Sequence, residues 1–88
     1  MKVVPDKDGY YSIEFVNTGM SGVKEITNDF SRHGELVKVH QGGAKNAVKR
    51  VTVSYTDIDS AMRAITAYAN DKDVRGIDFV AECLEFQA

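Results

Sequence analysis

The sequence predicts an α+β domain built on a four-stranded antiparallel sheet with two helices on one face. Three observations carry that expectation. Residues 11–17 and 48–55 alternate apolar and polar side chains with the two-residue period of a half-buried strand. Each is followed by a segment whose apolar residues recur at three and four positions, the period of a helix that buries one stripe. The order strand, helix, strand then occurs twice within 88 residues, a length that accommodates one domain.

Residues 1–9 are polar, hold the only proline and read as a lead-in; residues 10–88 read as the domain. In the first strand Tyr11, Ile13 and Phe15 point one way and Ser12, Glu14 and Val16 the other. A turn at residues 18–22 offers Ser21 as N-cap. Val23, Ile26 and Phe30 form the apolar stripe of the first helix, which closes on Arg32, His33 and Gly34. Leu36, Val37 and Val39 make a second strand, with Lys38 and His40 alternating outward. A glycine-rich connection over residues 41–47 leads to the third strand, where Val51, Val53 and Tyr55 face inward and Arg50, Thr52 and Ser54 outward. Thr56 and Asp59 are spaced as a capping box for the second helix. Its stripe is Ile58, Ala61, Ala64 or Ile65, and Tyr68. The fourth strand is placed at residues 79–84, with Phe79, Ala81 and Cys83 inward and Val80, Glu82 and Leu84 outward.

Composition narrows the function classes. Eleven basic residues against 13 acidic ones give a net charge of −2. Phosphate contacts dominate nucleic-acid affinity, so this balance argues against strong non-specific binding of nucleic acid while allowing a local basic patch. A single cysteine excludes an internal disulfide and suits a reducing compartment, cytoplasm or nucleus. No apolar run of about 18 residues is present, and the first six residues turn polar at once, unlike a signal peptide.

The chemical motifs are fragments. Asp6-x-Asp8-Gly9 begins like a calcium loop but lacks the third ligand and the closing glutamate, so a polar turn is the better reading. Gly42-Gly43-Ala44-Lys45 lacks Walker spacing and reads as a hairpin loop. His33 and His40, the only histidines, do not make a four-ligand zinc set, and Cys83 has no identifiable base. No enzyme activity, metal or cofactor is expected.

Two strand–helix–strand halves with right-handed crossovers build the ferredoxin-like βαββαβ plait. The residues in order, from the 11–17 strand through Phe30-Ser31-Arg32-His33-Gly34-Glu35-Leu36, Val53-Ser54-Tyr55 and Ala61-Met62-x-Ala64-Ile65, resemble an RNA recognition motif. The resemblance implies strand order 4-1-3-2, an open sheet face, and binding through aromatic residues on the two central strands. At the three positions where that family carries stacking aromatics, this chain has Glu14, Arg50 and Thr52. Stacking contributes roughly 1–3 kcal/mol per base, so two lost platforms weaken single-strand binding by about 30-fold to 10⁴-fold. A peptide-binding subclass of the motif carries Arg-x-Phe after the second helix; the nearest match here is Lys72-Asp73-Val74, which has neither anchor. Acylphosphatases share the plait, but residues 17–22 lack their arginine.

The expectation is therefore a noncatalytic, atypical RNA recognition motif serving as a protein–protein interaction module in an RNA-handling assembly, a monomeric domain of a larger protein with no membrane contact. The alternative is weak or unconventional single-stranded RNA binding through Arg50, Lys38 and the loop lysines Lys45 and Lys49. A small-molecule sensor on the same plait is a third. The candidate face comprises Glu14, Val16, Lys38, His40, Val48, Arg50, Thr52, Val80, Glu82 and Leu84. Val16, Val48, Val80 and Leu84 would form an exposed apolar patch unless the chain's own tail, with Phe86, covers it.

Overall fold

A computed structural model describes residues 1–19, 21–43 and 49–86. Its elements are β1 (Lys2–Val3), β2 (Tyr11–Asn17), α1 (Val23–Phe30), β3 (Leu36–Gly42), β4 (Lys49–Tyr55), α2 (Ile58–Tyr68), β5 (Val74–Phe79) and β6 (Leu84–Glu85). Four strands form one antiparallel sheet in the order β3-β4-β2-β5, so the two strands that alternate most clearly in sequence are central. β1 and β6 form a separate two-stranded ribbon.

One face of the sheet carries the core. Ile13 and Phe15 of β2 and Val51, Val53 and Tyr55 of β4 are buried against Ile26 and Phe30 of α1 and Ala61 and Ala64 of α2. The two alanines are fully buried, and their small side chains let α2 lie close to the strands. Phe30 is sandwiched between Phe15 (centroids 5.1 Å apart) and Tyr68 (4.3 Å), both nearly parallel to it. Tyr55, fully buried, donates its hydroxyl to the Phe30 carbonyl at 2.7 Å, so the last turn of α1 is tied to the sheet by an orphan carbonyl finding a partner.

Helix starts differ from the sequence expectation by one residue each. Gly22, not Ser21, is the N-cap of α1, and its N–H donates to the Glu25 carboxylate at 3.1 Å. Asp57, not Thr56, caps α2: its carboxylate accepts from the Ser60 N–H at 3.1 Å and the Ser60 hydroxyl at 2.6 Å. Asp is the stronger cap of the two, which sets the frame. Val23 is 44 % exposed and leaves the core stripe to Ile26 and Phe30.

Gly34 does more than end the first helix. Its backbone (φ +157°, ψ −173°) lies in a region essentially restricted to glycine, and a Cβ there would overlap the Ser60 side chain of α2. Arg63, one turn further along α2, donates to the His33 carbonyl (2.8 and 3.2 Å) and to the Ser60 hydroxyl (3.2 Å).

The largest correction concerns the fourth strand. It runs Val74–Phe79, not 79–84; residues 81–83 form a 3-10 turn and Leu84 pairs with Val3 in the ribbon. Phe79 and Cys83 are buried as expected, but Ala81 is exposed. The strand is hard to see in sequence because it is bulged. Glu14 pairs with Asp78 and Val16 with Arg75, so Gly76 and Ile77 together oppose Phe15. Gly76 takes φ +65°, the left-handed conformation that a bulge of this kind requires. The opposite edge is bulged too. Leu36 pairs with Tyr55 and Lys38 with Ser54, which leaves Val37 unpaired and 41 % exposed rather than in the core.

The lead-in is stitched onto the domain. Lys2 and Val3 pair with Glu85 and Leu84, and the Val4 N–H donates to the Cys83 carbonyl at 2.8 Å. Among the described residues no helix is long and apolar enough to cross a membrane.

Candidate interaction face

The face of the sheet opposite the helices is organised in rows, because residues paired across an antiparallel sheet share a face. In the first row Arg75 of β5, Val16 of β2, Arg50 of β4 and Gly42 of β3 lie side by side. The second row is Asp78, Glu14, Thr52 and His40 on the same four strands. The third is Ser12, Ser54 and Lys38. Two exposed arginines thus flank Val16, and the next row along the strands carries two carboxylates.

The third row is closed at its two serines, while Lys38 on the edge strand stays exposed. Ser12 and Ser54 are 4 % and 3 % exposed although they point away from the helices. The lead-in folds over them. Their hydroxyls bond each other at 2.6 Å, and Ser12 Oγ donates to Asp6 Oδ2 at 3.0 Å. Asp6 Oδ1 also accepts from the N–H groups of Asp8 (2.9 Å) and Tyr10 (3.0 Å). Asp6 therefore organises a turn with its own oxygens. Burial pushes its carboxyl up, but the hydrogen bonds from Tyr10, Ser12 and Asp8 outweigh it, and its pKa lies below the usual carboxylate value. Among the described residues no cluster of metal-ligating side chains is present.

Beside this cover lies a polar cleft of about 540 Å³. It brings together four of the sequence-predicted residues, Lys38, Thr52, Val80 and Glu82, with Asp6, Lys7 and Asp8 of the lead-in and the adjoining Tyr10 as its other wall. The Lys7 N–H donates to the Glu82 carboxylate at 3.2 Å, closing the cleft at one end. The cleft's walls carry charges of both signs and its floor is a hydrogen-bonded serine pair.

The ten predicted face residues therefore separate. Glu14, Val16, Arg50, Thr52, Lys38 and His40 lie in the three rows. Val80 follows β5 and sits half-buried in the cleft, and its N–H donates to the Ser12 carbonyl. Glu82 is on the 3-10 turn and Leu84 is in the ribbon, so neither lies on a strand of the four-stranded sheet. The reason is that the fourth strand ends at Phe79 and the chain then leaves the sheet through the 3-10 turn. Val48 and Lys45 fall outside the described residues; Lys49 is exposed at the start of β4. Of the described members of the expected apolar patch only Val16 lies in the open rows, and Phe86, 75 % exposed, does not act as its cover.

Sequence reading missed Arg75 and Asp78. They are three residues apart, which in a regular strand puts them on opposite faces. The bulge at Gly76 adds a residue and turns both outward. A glycine within a short apolar run was the available signal.

The remaining chemistry-bearing side chains have structural partners. His33 stands edge-on to Tyr68 at 5.4 Å, on the helical side and away from His40. Cys83 is fully buried, its thiol pushed up by burial and directed at the Tyr10 carbonyl, 3.8 Å away. No protein-family model, no curated protein and no solved structure matches the chain.

Proposed function

We propose that the chain is a noncatalytic interaction module of the RNA-recognition-motif kind, a ferredoxin-like plait whose open sheet face binds a protein within an RNA-handling assembly. The strand order, with first and third strands of the motif at the centre, supports the plait. One observation carries the choice of a protein partner: the arginine row (Arg75, Arg50) lies directly beside the carboxylate row (Asp78, Glu14). Two residues along a strand span about 6.6 Å, so the rows are about one nucleotide spacing apart. A polyanion drawn to the arginines meets the carboxylates in its next step. Among the described residues of the three rows the only aromatic ring is the imidazole of His40 on the edge strand, and the two central strands carry none, so stacking does little to offset that repulsion. A protein surface can carry both signs at the required spacing.

The test is capture from a ribonuclease-treated extract by the immobilised chain and by its Val16→Lys variant. Val16 sits between Arg50 and Arg75, and a third cation there alters the face without touching the core. Capture that survives ribonuclease and is lost in Val16→Lys, with an unchanged circular dichroism spectrum, supports the reading. Loss of capture on ribonuclease treatment, or submicromolar binding of short single-stranded RNA by the parent, overturns it in favour of RNA.

A further inference from the structure

We propose that the partner of the open face is a second copy of this chain, docked face to face about a twofold axis that lies between the arginine row and the carboxylate row. This rests on the reading that the open sheet face is the binding face. A partner must present a carboxylate row opposite the arginines and a basic row opposite the carboxylates, at the same spacing. A twofold axis in the plane of the face, parallel to the rows and midway between them, carries each row onto the other. The chain is therefore complementary to itself in an isologous contact.

The charges match on β5 and across β4, while on β2 Val16 of each copy comes opposite Glu14 of the other, a carboxylate whose counter-charge is supplied by the flanking Arg50 and Arg75. On β5, Arg75 of each copy comes opposite Asp78 of the other. On β4, Arg50 comes opposite Thr52, and Glu14 of the other copy is one strand away, about 4.8 Å and within the reach of a guanidinium. On β3, His40 comes opposite Gly42, where no side chain obstructs it. Asp78 Oδ1 accepts from the Phe79 N–H at 2.7 Å, which holds the carboxylate in place and leaves its second oxygen for the partner. The lead-in covers the serines of the third row, so the contact is drawn from the other two rows, with Lys38 the one exposed side chain of the third.

The bulge at Gly76 is what makes the pattern possible. Without it Arg75 and Asp78 would lie on opposite faces, and the β5 column would hold one charge instead of two. Four short strands and two open rows bury an area at the low end of specific interfaces, below about 1,200 Å² in total. The dimer is accordingly weak, and a monomer prevails at low concentration. Its contacts are exposed ion pairs, so they are screened as the Debye length falls to about 3 Å at 1 M salt.

Sedimentation equilibrium of the purified chain tests this. At high micromolar concentration and low salt the weight-average mass should rise towards that of a dimer, and return to that of a monomer in 1 M salt. Arg75→Asp alone places like charges opposite each other, as does Asp78→Arg alone, and each variant should stay monomeric. An equimolar mixture of the two should regain parent-like association, because every β5 contact then joins opposite charges. That rescue also establishes that both variants fold. A parent that remains monomeric at low salt, or a mixture no more associated than its components, overturns the proposal. If ribonuclease-resistant capture of another protein is still lost in Val16→Lys while the mixture shows no rescue, the second copy is refuted and the face reading stands. If Val16→Lys leaves ribonuclease-resistant capture of another protein intact, the face reading fails; in the dimer itself a lysine at 16 comes opposite Glu14 of the other copy and should preserve or strengthen self-association.

Discussion

Replacing Gly34 by alanine tests the tightest contact in the fold. Gly34 follows the 3-10 turn after α1 and lies against Ser60 on α2. Ser60 is 1 % exposed and cannot swing away, because its hydroxyl is held by Asp57 at 2.6 Å and by Arg63 at 3.2 Å. A Cβ on Gly34 would overlap Ser60 Cβ and Oγ and stand 3.5 Å from its Cα. Two costs add. Forcing an extra carbon into a filled site costs about 1–3 kcal/mol. Holding a non-glycine residue in this backbone region costs about 1–3 kcal/mol more. The sum, roughly 2–6 kcal/mol, compares with a total stability of about 4–13 kcal/mol for a domain of this length. Urea unfolding followed by circular dichroism reads the loss. In a Ser60→Gly background the overlap is gone while the backbone cost remains, so Gly34→Ala should cost at least about 1 kcal/mol less there than in the parent. A parent-background cost within about 0.5 kcal/mol, the range of an ordinary surface change, would refute the close approach.

Two further outcomes follow from the same geometry. Phe30→Ala removes a 2 % exposed ring stacked between Phe15 and Tyr68, and should cost roughly 3–5 kcal/mol. A thermal midpoint within about 2 °C of the parent would show that this ring does not hold the two helices to the sheet. Asp6 has a folded-state pKa below its ordinary 3.8, so its contribution is present above that pH and disappears as pH falls through the lower folded value. The stability gap between the parent and Asp6→Asn should therefore be largest near neutrality and narrow below pH 3.8. A gap that does not change with pH would mean that the lead-in turn is held by something other than the charged carboxylate.

The readable parts of the sequence are those whose signal is local. The alternation of Ile13, Phe15, Val51, Val53 and Tyr55 follows from the two-residue period of a strand, and it places five core residues correctly. The spacing of Ile26 and Phe30, and of Ala61 and Ala64, likewise follows from the helical period. The same alternation identifies Glu14, Arg50 and Thr52 as outward residues of the central strands, so the lack of aromatics there was legible without coordinates. Tertiary structure decided what depends on pairing between distant segments. Val74–Phe79 becomes a strand because β2 offers it an edge, and Gly76 and Ile77 bulge because both must oppose Phe15. No period in the sequence announces that register, and with it went Arg75, Asp78 and the true positions of Glu82 and Leu84. The lead-in is polar and unremarkable by composition. It becomes part of the domain only through Lys2 and Val3 meeting Glu85 and Leu84 at the far end of the chain, and through Asp6 meeting Ser12 above a face that strand periodicity alone would leave open. Side-chain periods are properties of single elements, whereas bulges, edges and covers are properties of contacts between them.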